Sequence, residues 1–144
     1  MNEPEVGDVI QAGPWAGFTL ISKYTRAQAL EDGVLVDVTD TAREAGFKVP
    51  VALTRAVWAL VEPTKEETEV DLQDAQGRLW DLLSVAAWRA RTAPGSDELR
   101  FGVLFRLRGR PGVRAGMHKT ELKLHSGPGD GGEHVLTIML PEED

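Results

Sequence analysis

The sequence predicts a single α+β domain in which one long helix precedes a three-stranded antiparallel meander. The chain of 144 residues falls in the usual size range of one domain. A long helical pattern occupies its middle, and its last third alternates apolar and polar residues with the period of strands. Because the strands gather at the end rather than alternate with helices, α+β is favoured over a doubly wound α/β sheet.

The predicted domain spans residues 18–141. Residues 1–17 are rich in glycine, proline and acidic residues, and we interpret them as an N-terminal tail. Residues 142–144 are interpreted as a short acidic tail. Trp15 lies in the first tail, where it either packs that tail onto the domain or offers an exposed anchor to a partner. Packing onto the domain is the favoured interpretation.

Short strands and short helices are predicted to alternate in the first part of the domain. Strand-forming runs bounded by turn residues, and threonine or glycine at helix boundaries, mark these elements. In chain order they are a strand at 18–22, a helix capped by Thr25 and ended by Gly33, a strand at 34–38, and a helix at 42–45 ended by Gly46. The cluster 39–41 is interpreted as the cap of that last helix.

The middle of the chain predicts two amphipathic helices separated by an acidic segment. Pro50 suits the first position of a helix running to about residue 61, on which apolar residues recur at spacings of three and four. A longer helix is predicted from 74 to 92, also with one apolar face. Trp58 and Trp80 fall on these faces and are predicted to be core residues. The segment 64–70 is interpreted as an exposed loop or one short helical turn.

Three alternating segments predict the C-terminal meander. They are 101–108, 120–125 and 134–140, joined by the glycine-containing links 109–116 and 126–133. The stretch 127–132 is rich in glycine, but it lacks the lysine of a phosphate-binding loop and leads into a strand rather than a helix. It therefore predicts a wide hairpin turn.

Composition excludes several classes of protein. The chain has no cysteine, which excludes disulfides and thiolate chemistry and fits a reducing compartment. Its N-terminus lacks the pattern of a secretory signal, and no segment approaches the roughly 20 apolar residues of a membrane span. We therefore expect a cytoplasmic protein that does not associate with membranes. The formal charge of −7 disfavours general nucleic-acid binding, because phosphate backbones repel such a chain.

The basic segment 100–119 departs most from this acidic average. Six of the 16 basic residues lie in it, and no acidic residue does. Because guanidinium groups bind carboxylates and phosphates through a planar fork of donors, the segment predicts an anion- or partner-binding site. The candidate residues are Arg106, Arg108, Arg110, Arg114 and Lys119. The alternative is a solvated sheet face whose basic groups pair with the protein's own acidic residues.

The histidines do not form a recognisable metal site. His118, His125 and His134 lie around the predicted C-terminal hairpins, but they lack the compact spacing of metal ligands. We interpret them as exposed histidines at the sheet edge. The sequence therefore assigns neither a metal nor a cofactor.

No catalytic residue is assigned either, although an enzyme remains an open alternative. In such an enzyme the arginines would hold an anionic substrate and Asp37 or Asp81 would act as the base. Asp81 follows an apolar residue on the long helix, and we expect it to be partly buried beside an arginine such as Arg26 or Arg43. Ion pairs of this kind are more often structural than catalytic.

Several motifs covering the chain from about residue 18 onward indicate a family. They are YTRAQALEDGVLVDV at 24–38, AREAGF at 42–47, VW at 57–58, GRLWD at 77–81 and TIMLPEED at 137–144. In these motifs the sequence resembles a family of small uncharacterised proteins encoded on bacterial plasmids, phages and other mobile elements. That family has no established activity, so the resemblance implies a context and no catalytic residue. Small acidic proteins on mobile elements often block host machinery, including restriction and CRISPR systems.

Together these observations favour a non-enzymatic accessory factor of a mobile element that binds a protein and inhibits a host defence system. Either its acidic body imitates DNA, or its basic hairpin docks on an acidic surface or, against the net charge, on nucleic acid. Two alternatives stay open, a small enzyme acting on a nucleotide or other anionic substrate and a structural or assembly protein. The sequence does not indicate an oligomeric state.

Overall fold

Five helices and five strands are present in residues 24–93 and 95–144, the part of the chain that the computed structural model describes. They are α1 (Arg26–Glu31), β1 (Leu35–Asp37), α2 (Thr39–Ala45), β2 (Val51–Thr54), α3 (Arg55–Val61), α4 (Lys65–Glu69), α5 (Ala75–Thr92), β3 (Glu98–Leu107), β4 (Gly116–Pro128) and β5 (His134–Met139). The predicted α+β class is confirmed. The strand predicted at 18–22 and the role of Trp15 fall outside the described residues.

The strands form one mixed sheet in the order β1-β2-β5-β4-β3. β3, β4 and β5 pair antiparallel, which confirms the predicted meander. β2 runs parallel to β5, with Leu53 opposite Ile138, and β1 pairs antiparallel with β2. The last strand of the sequence therefore lies at the centre of the sheet.

The alternation of buried and exposed residues along β3 shows which face of the sheet is buried. The odd-numbered residues from 99 to 107 are buried, whereas Glu98, Arg100, Leu104 and Arg106 are exposed. α5 packs on the buried face with leucines and alanines that recur at helical spacing, and together these side chains form the core. We call this side of the sheet the helix face and the opposite side the outer face.

The helix predicted from Pro50 to residue 61 is wrong in its first turn. β2 takes the place of that turn, and α3 begins at Arg55. Residues 51–53 are all buried, and a short run of buried apolar residues fits a central strand and a buried helix equally well. Thr54 belongs to the predicted apolar helix face but is instead the N-cap of α3. Its hydroxyl accepts a hydrogen bond from the N–H of Val57 at 3.4 Å.

A side-chain cap is present at the start of α1 and absent from the N-cap position of α2. Thr25 caps α1 as predicted, through a reciprocal pair of hydrogen bonds with Gln28. α2 begins at Thr39, earlier than predicted, so the cluster 39–41 forms its first turn rather than its cap. The carboxylate of Asp37 accepts hydrogen bonds from the N–H and the hydroxyl of Thr39 at 3.2 and 2.5 Å. Asp37 thereby binds the first residue of α2, although it lies one residue before the N-cap Val38.

The exposed side of α5 carries two residues whose predicted burial is wrong. Trp80 is 43% exposed, whereas Trp58 on α3 is half-buried against the core. Asp81 is exposed as well, because it lies on the side of α5 that faces away from the sheet. Although α5 has 18 residues, no helix in the described part of the chain is both long and apolar enough to cross a membrane.

The segment interpreted as an acidic tail contacts the sheet. The Glu143 carboxylate accepts hydrogen bonds from the Thr54 hydroxyl and the Leu140 N–H, each at 2.8 Å. The Glu143 carbonyl accepts a hydrogen bond from Lys123 Nζ at 2.6 Å. Glu143 is therefore packed against the end of the sheet.

Candidate partner-binding surface

The basic segment covers most of β3, the loop that closes the β3–β4 hairpin and the start of β4, and its cationic strand residues lie on the outer face. The register places Leu104 opposite Lys119, and Arg106 opposite Met117. Residues paired in this way share a face of the sheet, here the outer face. All four side chains are exposed, with Leu104 at 61% and Met117 at 52%. We call these four residues the ribbon patch.

Arg110, by contrast, turns back into the protein and pairs with the buried carboxylate of Glu67. Its Nε and Nη2 donate to the two Glu67 oxygens at 2.8 and 3.0 Å, and Arg78 Nη1 donates at 2.9 Å. The backbone N–H groups of Thr64 and Arg108 add bonds of 3.0 and 2.7 Å. Burial acts to raise the pKa of Glu67, but these hydrogen bonds, that of Arg110 foremost, outweigh it and lower the pKa to about 2.

Arg108 is also paired within the protein. Its Nε and Nη2 donate to the two Asp71 oxygens at 3.1 and 3.2 Å, the bidentate geometry that guanidinium and carboxylate prefer. The hydrogen bond with Asp71 raises the pKa of Arg108. Internal pairing, the alternative that the sequence left open, thus describes Arg108 and Arg110. Arg100, at the other end of β3, pairs with Glu121 at 3.0 Å on the outer face.

Three of the five candidate residues keep their charge available to solvent. Within residues 24–93 and 95–144, no carboxylate oxygen lies within 4.0 Å of the charged groups of Arg106, Arg114 or Lys119. Arg106 and Lys119 belong to the ribbon patch, and Arg114 lies in the loop that closes the hairpin. That these three residues bind a partner stays a prediction.

His118 and His125 lie within β4, His134 begins β5, and the glycine-rich stretch joins these two strands. No group of three or more histidine or acidic side chains in the described residues is placed to hold a metal ion. The Ser126 hydroxyl and the His134 ring are hydrogen-bonded at 2.5 Å. In the stretch 127–132, predicted to be a wide turn, Gly127 and Pro128 still belong to β4 and pair with β5. Residues 129–132 lie in the turn, where the Gly129 N–H donates to the Glu133 carbonyl at 2.6 Å.

Two clefts among the described residues are separate from the hairpin arginines. The larger, of about 420 Å³, lies on the outer face between α1, β5 and the C-terminal residues, and the smaller holds about 180 Å³. Arg26 lines the larger cleft and donates to the Thr137 hydroxyl at 2.7 Å and the Leu136 carbonyl at 2.9 Å. Burial lowers the pKa of Arg26. Neither cleft is lined by Asp37 or Asp81, the bases considered for an enzyme.

The sequence alone did not identify the carboxylates that pair with three of the six cations in the basic segment. A partial signal was present, because Thr64 followed three residues later by Glu67 is the spacing of a capping box, and that box is formed. The spacing predicts a helix start but not the burial of Glu67. Burial depends on Arg78 and Arg110, which lie in distant elements.

Comparison with known proteins identifies a family. The model of a family of unknown function, DUF6573, matches residues 13–144, which is most of the chain. No curated protein and no solved structure matches. The resemblance to an uncharacterised family is thereby confirmed: this chain belongs to the DUF6573 family, whose function is unknown.

Proposed function

We propose that this protein is a non-enzymatic binding protein that docks its ribbon patch onto an acidic surface of a partner protein. The observation that carries the proposal is the composition of the patch. Two cationic and two apolar side chains alternate across paired strands, all exposed. Interfaces are enriched in arginine and methionine, and cations without internal partners are free to pair with carboxylates of another molecule.

The charges around the patch favour a protein over nucleic acid as its partner. The whole chain carries a formal charge of −7, which repels a continuous phosphate backbone at long range. A protein can present a few carboxylates to the patch while keeping the rest of its charge elsewhere. At physiological ionic strength the Debye length is about 8 Å, so a local match of this kind outweighs the distant repulsion.

Reversing the charge of the patch should weaken capture of the partner by about tenfold or more. In the variant Arg106→Glu/Lys119→Glu, two attractive contacts become repulsive, and a tenfold change corresponds to about 1.4 kcal/mol. The measurement is quantitative mass spectrometry of proteins retained from a bacterial lysate, followed by titration of each recovered protein. Its acidity and the salt dependence of its binding report on the proposed contact.

A matched control separates the patch from net charge. Lys48→Glu/Arg91→Glu makes the same change in formal charge at exposed positions outside the hairpin. We expect this control to retain its partner with unchanged affinity. Equal retention by both variants, or equal loss, would rule out docking through the patch.

The biological setting of this binding is the second element of the proposal. The motif resemblance supports an accessory factor of a mobile genetic element that inhibits a host defence such as restriction or CRISPR. A phage sensitive to the defence should plaque more efficiently on defended cells that express the protein, and not on cells that express the patch variant. Unchanged plaquing across a panel of restriction and CRISPR systems would count against the inhibitor role and leave docking itself to the capture experiment.

A further inference from the structure

At the outer edge of β3, backbone carbonyls near both ends of the strand accept side-chain hydrogen bonds, whereas the backbone groups in its middle have no partner there among the described residues. In the sheet formed by residues 24–93 and 95–144, β3 is an edge strand and is bonded to β4 alone. Near one end, Arg89 Nε donates to the Arg100 carbonyl at 3.0 Å. At the other, Arg78 donates to the Arg106 carbonyl, and the Arg108 carbonyl accepts from the Thr64 hydroxyl at 2.7 Å. Side chains thus cover the edge on either side of its centre.

Between these covered ends, two residues direct their backbone groups away from β4 and have no partner beyond the edge among the described residues. At every second residue of an antiparallel edge strand, the backbone N–H and C=O point away from the neighbouring strand. Arg100, Arg106 and Arg108 are such residues. The even-numbered Gly102 and Leu104, which lie between them, therefore also direct their backbone groups away from β4. Among the described residues, no hydrogen bond joins the N–H or C=O of either residue to a group beyond the edge. We call these four backbone groups the open edge.

Gly102 lets a cation reach this edge. Its φ is outside the left-handed region, so the backbone conformation does not require glycine. A Cβ at this position would lie 2.6 Å from Cε of Lys119, which shows that the Lys119 side chain crosses over Gly102. Glycine inside a strand often marks the close approach of another group or chain. Here it allows the Lys119 ammonium group to extend from β4 across the edge strand.

We propose that the partner binds this open edge as an additional strand, through an extended acidic segment. A strand hydrogen-bonded to Gly102 and Leu104 would place alternate side chains on the outer face, beside Leu104 and Arg106 and within reach of Lys119. Carboxylates at those positions would meet two cations that have no carboxylate partner in the part of the chain that the structure describes. The inference rests on the proposed function for the identity of the patch, and adds the conformation and position of the bound segment.

Charge argues against a second copy of this chain as the occupant. In a symmetric antiparallel pair that matches the two open edges, Gly102 faces Leu104 of the second copy. The same register sets Arg100 opposite Arg106 of the second copy, and the symmetry repeats this contact. Like charges directly opposite one another destabilise strand pairing. An acidic segment avoids this repulsion.

The test uses a short peptide of alternating glutamate and valine as the probe, with the full-length protein observed by amide-resolved NMR. We expect the peptide to slow hydrogen exchange of the Gly102 and Leu104 amides by about tenfold at saturation, because exchange then requires dissociation of the added strand. A peptide of the same sequence, N-methylated at every residue, keeps the charge but has no N–H on either edge to donate to the ladder. It should give no protection. A peptide of alternating lysine and valine is the control for the sign of the charge.

The possible results distinguish strand addition at the open edge from docking through the ribbon patch alone. Protection by the unmodified acidic peptide alone supports strand addition. Equal binding of both acidic peptides, with chemical shifts confined to the ribbon patch and no protection, overturns strand addition and leaves docking through the patch intact. Absence of binding by either acidic peptide at low salt contradicts both. Protection of the two amides in the protein without peptide, accompanied by self-association in sedimentation, would assign the edge to a second copy and overturn the inference.

Discussion

Replacing Glu67 by glutamine is expected to destabilise the fold by about 3 kcal/mol at neutral pH. The carboxylate is fully buried and accepts hydrogen bonds from two arginines and two backbone N–H groups. Without its charge, the buried guanidinium group of Arg78 and the partly buried one of Arg110 lose their counterion, and breaking a buried ion pair in this way typically costs about 3–5 kcal/mol. Urea unfolding at neutral pH measures the change. Glu69→Gln, an exposed position on the same helix, should shift the midpoint little.

The pH dependence of stability gives an independent measurement of the same network. The pKa of Glu67 is lowered in the folded protein to about 2, from an ordinary value of 4.5. A depressed pKa contributes stability that is fully present above the unfolded pKa and is lost as the pH falls toward the folded one. The native protein should therefore lose this contribution between about pH 4.5 and 2. Stability curves of the native protein and Glu67→Gln should converge there, and parallel curves would contradict the role of Glu67.

The second large effect is expected at Phe105, where truncation to alanine should cost about 3–5 kcal/mol. This side chain lies on the helix face and is only 2% exposed, so its loss removes buried apolar surface and leaves a cavity under α5. Leu104, its neighbour on the same strand, is 61% exposed. Leu104→Ala should therefore change stability by less than about 0.5 kcal/mol. Urea unfolding of the two variants makes the comparison, and similar losses would contradict the assigned faces of β3.

Periodicity made most of the meander predictable. Along β3, buried and exposed residues alternate without interruption except at Gly102, and the sequence shows the same period. β2 lacked such a signal because residues 51–53 are buried on both faces of the sheet. Their pairing with β1 and β5 is a long-range fact that a local pattern does not contain. The spacing of Thr54 and Val57 then imitated a continuous helix.

The sequence shows where the cations of the candidate surface are concentrated, but it only partly indicates which of them pair within the protein. The concentration of cations between residues 100 and 119 correctly marked the β3–β4 hairpin. In a continuous strand, the spacing of two between Arg106, Arg108 and Arg110 would place all three on one face. Arg108 and Arg110 instead lie beyond the end of β3 and turn back toward α4. The acids that receive them are distant in sequence, and charge counts alone do not match each cation to its partner.

The central position of the last strand has a consequence for biosynthesis. A ribosome releases β1 and β2 first and the β3–β4 hairpin next, yet these two units do not pair with each other. β5 must insert between them, matching residues 51–53 on one side and 123–128 on the other. Long-range parallel pairing of this kind forms slowly, and until it forms both flanking strands keep an unsatisfied edge. Closure of the sheet therefore waits for the synthesis of β5, and until then the nascent chain depends most on protection from aggregation.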